Sequence, residues 1–438
     1  MQILDWTALD DAARANALAR PALADDSERR AAVAAIIAAV RDGGDTALRG
    51  YTRRFDGVDL ASPALHATDV EAAAKATVPS IRSAIDRAFD TIYKFHEPSG
   101  LTPYAVETAR GVVCRRIIRP LKSVGLYAPG GSAALPSTVL MLGVPALLAG
   151  CEIKTLCTPP EKDGRVSPAI LYAAHRCGID TIIRAGGAQA IAAMAYGTET
   201  VACADKLFGP GNGWVTEAKR QAAADPDGAS SDMPAGPSEL LIVADDSADP
   251  AFIAADLLSQ AEHGADSQVL LVTASAPLAD AVRIEAQQQL ESLPRRTIAK
   301  RALNGSRIIL VPDEGSCLHI VNRYAPEHLI LNVVDPEALL PGIHNAGSVF
   351  LGTWTPESLG DYVSGTNHVL PTYGYARQRG GLSVADFQKA MTVQVATADG
   401  LDQLGAAAIT LARAEGLEAH ARAVSLRLAM REDRRERA

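Results

Sequence analysis

The sequence predicts an α/β chain of two doubly wound, Rossmann-like units, preceded by a helix-rich segment and closed by a helical C-terminal arm. Three observations predict it. From about residue 111, short β-branched runs bounded by Gly or Asp alternate with roughly ten- to fifteen-residue helical stretches, the βαβ rhythm of parallel sheets. There are too many such runs for one small sheet. Alanine-rich helical patterns dominate both ends of the chain.

The elements follow in order. "SERRAAVAAIIAAVRDGGDTALRGYTRRF" carries Ala, Ile and Val at helical spacing and is expected to stop at Gly43-Gly44. The strand candidates are "GVVCRRIIR", "SVGLY", "EIKTLC", "DTIIRAGG", "ELLIVAD", "QVLLVTAS", "RIILVP", "LILNVV" and "GSVFLG". Between them lie helical stretches such as "LPSTVLMLGVPALLAG" and "SPAILYAAHRCG". After about residue 381 the strands are expected to stop, and "LDQLGAAAITLARAEGLEAHARAVSLRLAMRED" reads as helix to the end. Ligands in open α/β sheets sit at the carboxyl ends of strands, so the chemistry is expected there.

Composition narrows the function. The chain has 438 residues, enough for two or three domains with a real core. Aromatics at 5% and a net charge of −9 argue against a nucleic-acid binder. The tail from Arg431 to Arg437 alternates in sign and reads as a solvated helix end. No basic region followed by an apolar run opens the chain, so no signal peptide is expected. "STVLMLGVPALLAG" is too short to span a bilayer and contains Pro145. The six cysteines form no Cys-x-x-Cys pair and read as reduced, mostly buried thiols of a cytoplasmic protein.

Three glycine-rich segments follow predicted strands: "LYAPGGSAALPS" (126–137), "RAGGAQAIAAMAYG" (184–197) and "KLFGPGNGWVTEAKRQ" (206–221). Each can set backbone N–H groups against an anion at a helix start. None is a Gly-x-Gly-x-x-Gly fingerprint, so one alone is only a tight turn; three together favour a nucleotide or phosphate ligand.

A polar constellation accompanies them. Asp249 and Pro250 are a good N-cap and first helical residue, and Phe252, Ile253, Leu257, Leu258 and Ala261 form one apolar stripe. The helix runs into "SQAEHG" (259–264), where Gly264 is expected to end it. Gln260 and His263, three apart, project about 60° from one another, while Glu262 points elsewhere. An amide and an imidazole so spaced could serve a metal; alone, they are more simply a hydrogen-bonded helix end. In "RYAPEHLILN", Glu327 and His328 follow Pro326. In a straight strand they would face opposite ways, but from a turn both could reach one cavity for proton transfer. "ESLGDYVSGTNHVLPTYGYAR" is a polar loop containing Asp361 and His368. "ARAEGLEAHARA" places Glu415 and His420 five apart, about 140° apart on a straight helix, with Gly416 able to break it.

With these residues assembled, the chain resembles the histidinol dehydrogenase family from about residue 30 to 430. The resemblance rests on long blocks in order: "SVGLYAPGGSA", "GGAQAIAAMAYGTE", "FGPGNGWVTEAKRQ", "DMPAGPSELLIVAD", "DLLSQAEHGADSQV", "APEHLI", "AGSVFLGTWTPESLGDYVSGTNHVLPT", "ADFQKAMTVQ" and "AEGLEAH". It implies that Gln260, His263, Asp361 and His420 ligate zinc, and that Glu327 and His328 form the acid–base pair. It implies substrate contacts from Ser238 and Glu415 together with those six. Tyr127, Gln189 and Asn212 are the implied NAD contacts. Ser231 and Trp214 depart from the usual pattern without touching a named role.

The resemblance also implies two related, discontinuous α/β domains, incomplete Rossmann-like units with small extensions. The expected division is a 1–25 extension, 26–125 plus 237–321, 126–236 plus 322–380, and a 381–438 helical arm. It implies a homodimer whose arm reaches the neighbouring subunit's site. The implied reaction oxidises L-histidinol in two steps to L-histidine and reduces two NAD. A relative acting on another small alcohol, such as a sulfonated diol, would lack the Ser238 and Glu415 contacts. A non-catalytic zinc-stabilised dimer leaves the Glu327–His328 pair unexplained, and a zinc hydrolase leaves the three glycine loops unused.

Overall fold

The computed structural model describes residues 1–21, 27–65, 67–130, 134–233 and 236–436. Residues 131–133 of the first glycine-rich segment, residues 234–235 of the "DMPAGPSE" block and the last residues of the tail lie outside them. The chain divides into two units, Met1–Ser99 with Leu121–Phe387, and Gly100–Pro120 with Gln388–Ala438. No helix among the described residues is long and apolar enough to cross a membrane.

The strands are β1 (Gln2–Asp5), β2 (Tyr104–Ala109), β3 (Val112–Pro120), β4 (Ser123–Tyr127), β5 (Ile153–Thr158), β6 (Thr181–Arg184), β7 (Lys206–Phe208), β8 (Ser230–Ser231), β9 (Glu239–Ala244), β10 (Gln268–Thr273), β11 (Arg307–Leu310), β12 (His328–Asn332), β13 (Ser348–Leu351) and β14 (Gln388–Ala396). The first unit holds two parallel sheets, as the βαβ rhythm predicts. One is six-stranded, in the order β1-β11-β10-β9-β12-β13. The other is five-stranded, in the order β6-β5-β4-β7-β8. Strands β4, β9, β10 and β12 are buried at every residue, which explains their unbroken apolar runs.

The strands sort differently from the expected division. β12 pairs with β9, His328 opposite Leu240 and Ile330 opposite Ile242, and β13 pairs with β12, so both belong to the six-stranded sheet. The segment 27–99 goes the other way. Its helix Ser27–Asp56 buries Val33, Ile36, Ile37 and Val40 against Ile191 and Met194 of the helix Gly187–Tyr196, beside the five-stranded sheet. The extension at the N-terminus contributes β1, an edge strand paired with β11. Strands buried on both faces carry similar apolar runs, so such a run does not say which sheet it joins. The expected stop at Gly43-Gly44 is a kink: Gly44 takes φ 52° and ψ −138°, and helix resumes to Asp56.

The second unit also departs from expectation. Strand does not end at 381: β14 pairs antiparallel with β3 along nine residues, Gln388 opposite Pro120 and Ala396 opposite Val112. β2 completes this three-stranded sheet, so "GVVCRRIIR" is in an antiparallel sheet rather than a βαβ unit. Helix follows as expected, Ala398–Ala414 then Glu418–Glu436. Gly416, at φ 73°, breaks the two apart between Glu415 and His420.

The apolar segment that ends at Gly150 is a core helix, Pro136–Ala149, buried over ten of its residues. Each large aliphatic side chain removed from water there contributes about 1.5–3 kcal/mol. All six cysteines are free; four are buried, Cys114 is half-buried and Cys203 is exposed.

Candidate active site and metal centre

The amino-terminal edge of the six-stranded sheet gathers Glu327, His328 and Glu239. His328 is the first residue of β12, and Glu327 precedes it directly after Ala325 and Pro326. Ala325 takes φ 53°, a left-handed conformation that costs a non-glycine residue about 1 kcal/mol or more. Arg20 holds this turn in place. Its guanidinium donates to the carbonyls of Tyr324 (2.7 Å) and Ala325 (3.3 Å) and grips the buried Glu239 carboxylate with two bonds, at 2.5 and 2.8 Å. The backbone N–H of Glu239 in turn donates to Glu327 Oε2 (2.8 Å). The turn lets the adjacent pair converge: Glu327 Oε2 lies 3.7 Å from His328 Nδ1.

Two helix ends close the cluster. The helix Pro250–Ala261 forms as predicted, with the Asp249 carboxylate accepting from Ala251 N–H (2.8 Å) and Pro250 first. It ends at Ala261, before Gly264, so His263 sits on the following turn, exposed, while Gln260 is 0% exposed. The short helix Glu357–Tyr362 brings Glu357 and Asp361 to the same place, one turn apart. Gly360 admits it: a Cβ there would lie 2.5 Å from the Phe350 ring. Gln260 Nε2 lies 3.0 Å from Glu357 Oε1 and 2.9 Å from His328 Nδ1. His328 Nε2 is 3.6 Å from Asp361 Oδ1. His368 Nδ1 donates to the Asp361 carbonyl (2.8 Å), anchoring that helix end.

Burial and charge tune these groups. Burial pushes Glu327 up to about 8, against the pull of His328 and the Glu239 N–H. Burial alone would lower His328, but the carboxylates of Glu357, Glu327 and Asp361 overcome it and raise the imidazole to about 10. Burial raises Glu357, whereas Asp361, against the effect of its own burial, is held well down by His328. The pocket is therefore built for positive charge. A metal ion would supply that charge in place of the imidazolium proton and bring His328 down.

The donor set fits a metal. Gln260 Oε1 and His328 Nε2 are buried and have no hydrogen-bond partner. One ligand atom each from His328, Glu357 and Asp361 lie within 4.8 Å of one another. The carboxyl end of the Pro250–Ala261 helix adds its negative dipole end. Amide, imidazole and carboxylate donors without thiolate suit a divalent ion such as zinc. Of the four residues implied as ligands, Gln260 and Asp361 stand in this cluster and His263 stands within electrostatic reach of Asp361. His420 and Glu415 are exposed in the second unit. Ser238 is half-buried, immediately before β9. Glu357 is the functional candidate that sequence reading missed. Its signal was there: Glu and Asp four apart share one helix face.

The implied NAD contacts, Tyr127, Gln189 and Asn212, lie at the carboxyl edge of the five-stranded sheet. The strand order reverses between β4 and β7, the switch point of this sheet. Tyr127 ends β4, buried, its hydroxyl accepting from Gly187 N–H (3.0 Å) at the start of the Gly187–Tyr196 helix. Burial holds the phenol up at about 12, so its O–H stays available as a donor. Gln189 is buried on the first turn of that helix. Asn212 is exposed and caps the helix Gly213–Ala224, its Oδ1 accepting from Trp214 N–H (3.0 Å) and Val215 N–H (3.2 Å). Gly209 after β7 has φ 119°, and a Cβ there would strike the Tyr127 carbonyl at 2.2 Å. Beneath this loop the buried Lys219 ammonium pairs with Asp232 and donates to the Gly209 carbonyl (2.9 Å), while Asp232 Oδ2 accepts from Gly209 N–H (2.8 Å).

Similarity to known proteins runs the length of this arrangement. The family model for histidinol dehydrogenase matches residues 19–428. A histidinol dehydrogenase of Xanthomonas euvesicatoria pv. vesicatoria is 58% identical over 428 residues, covering 98% of this chain and 99% of its own. One from Vibrio cholerae is 53% identical, covering 98% of each chain. The crystal structure of histidinol dehydrogenase from Elizabethkingia anophelis superposes with a TM-score of 0.94 at 45% identity, covering 99% of both chains. Both edges, and the loops that build them, thus lie within end-to-end matches, and this chain belongs to the histidinol dehydrogenase family, whose members are NAD- and zinc-dependent oxidoreductases.

Proposed function

We propose that this protein oxidises L-histidinol through histidinal to L-histidine, the last step of histidine biosynthesis, reducing two NAD in succession. The observation that carries the reading is the buried Glu327–His328 pair set against Gln260 and Asp361. In the first step a C–H bond of the alcohol delivers hydride to NAD while the hydroxyl proton leaves to His328. The imidazole suits both directions of transfer. When Nδ1–H donates to the Glu239 carbonyl (3.2 Å), Nε2 is a free base; when Nδ1 instead accepts from Gln260, Nε2–H is an acid. In the second step Glu327 takes a proton from the water that adds to the aldehyde, and the hydrate gives up the second hydride. Burial strengthens Glu327 as a base once it is ionised.

Gln260, His263, Asp361 and His420 would hold zinc, which supplies Lewis-acid anchoring of the substrate's imidazole and amino nitrogens. Ser238 and Glu415 would contact the same substrate, and Tyr127, Gln189 and Asn212 would line the NAD crevice. The purified protein should form two NADH per histidinol consumed, and a chelator should abolish the activity until zinc is restored. Absence of histidinol-dependent NADH with zinc present would overturn the reading.

The protein is further proposed to act as a homodimer with a shared site. Exposed His263 on one chain, and exposed Glu415 and His420 on the arm of another, support it. Mixing inactive Asp361→Ala and His420→Ala proteins should restore part of the activity, because some mixed dimers regain one intact site. No recovery after verified subunit exchange would place His420 in its own chain's site.

A further inference from the structure

We infer that Glu357 is the positioning residue that decides which end of the Gln260 amide faces the metal; this rests on the reading of Gln260 as a ligand. A primary amide is nearly symmetric in shape, so its oxygen and nitrogen ends are told apart only by their hydrogen-bond partners. As a ligand, Gln260 must present Oε1. Its nitrogen has two neighbours, His328 Nδ1 at 2.9 Å and Glu357 Oε1 at 3.0 Å. His328 cannot set the orientation, because Nδ1 changes between donor and acceptor with the ring's tautomer. Glu357 Oε1, by contrast, accepts from Gln260 Nε2 in this structure. It therefore demands the amide N–H, and the opposite orientation would set two oxygens against each other in a buried place.

The rest of the geometry agrees. Gln260 is 0% and Glu357 1% exposed, so no water can substitute for either partner. Gln260 Oε1 is left without a partner, as a ligand atom must be. Glu357 Oε2 faces Ser259 Oγ at 3.5 Å, which ties the carboxylate to the same helix end as the amide it orients. Asp361, one turn on from Glu357, then sits on the metal side. Partners of this kind set metal affinity without binding the ion.

The test is zinc affinity of the full-length protein, measured by competition with a chromophoric chelator. Gln260→Ala and Glu357→Ala should each weaken zinc binding roughly ten- to hundred-fold. Glu357→Ala on the Gln260→Ala background should weaken it less than about two-fold further, because the residue acts through the amide. Glu357→Gln keeps the side-chain volume and can still offer an oxygen, so it should recover most of the loss. Additive losses, or a Glu357→Gln protein as weak as Glu357→Ala, would make Glu357 an independent, charged contributor and overturn the inference. So would an unchanged affinity in Glu357→Ala beside a weakened Gln260→Ala. An unchanged Gln260→Ala would remove the ligand reading itself, and the inference with it.

Discussion

His328→Asn should slow histidinol oxidation by about 10²–10⁴-fold, and should slow oxidation of supplied histidinal less. Asparagine can keep a donor against the Glu239 carbonyl, which lies 3.2 Å from Nδ1, and it removes Nε2, the atom left for the substrate. Glu327→Gln should show the reverse bias. Its amide still offers an oxygen to the Glu239 N–H, held at 2.8 Å, but cannot take a proton from water. Both substitutions preserve the local hydrogen bonds, so a difference between them reports chemistry rather than collapse of the turn at Ala325. Steady-state NADH formation from each substrate measures it. Equal losses on both substrates, in both variants, would refute the division of labour.

Lys219→Met should destabilise the protein by about 3–5 kcal/mol, the cost of leaving one partner of a buried ion pair uncompensated. The Lys219 and Asp232 side chains are 5% and 2% exposed, so water cannot take the place of the lost partner. The substitution also strips a donor from the Gly209 carbonyl, in the loop that follows β7. Adding Asp232→Asn should recover part of the loss, because the remaining group no longer carries a charge and can still accept from Gly209 N–H. Denaturant unfolding of the single and double variants decides it. A single variant as stable as the native protein would mean that the pair is dispensable to the fold.

The candidate site was legible where chemistry is local. Asp249-Pro250 announced a helix start, and the same helix carried Gln260 to the cluster. Pro326 before Glu327-His328 hinted that the pair could converge, and the left-handed Ala325 turn makes it do so. The glycine-rich segment after β7 was legible as a strand-to-helix turn, where the close approach of Gly209 to the Tyr127 carbonyl excludes any side chain. Glu357 was not picked out, although its spacing to Asp361 was visible, because nothing in a sequence says that an amide on another helix needs a carboxylate to orient it. The placement of His263 outside its helix was equally hidden: Gly264 marked the end of the segment, yet the last helical residue is Ala261.

By itself the sequence determined the secondary rhythm, the parallel α/β class and the family, since each depends on residue order along a short stretch. Only the tertiary structure decided which strand joins which sheet. β12 lies beside β9, and that pairing sets His328 against the Glu239 carbonyl and puts Glu327 and His328 at the amino edge of the strands. The tertiary structure also decided that "GVVCRRIIR" leaves the parallel sheets to pair with β14, some 270 residues later. The physical reason is common to both. Apolar runs buried on two faces fit any parallel neighbour, and the choice among them is made by long-range packing and by buried polar groups such as Arg20, Glu239 and Gln260, whose partners must be satisfied together.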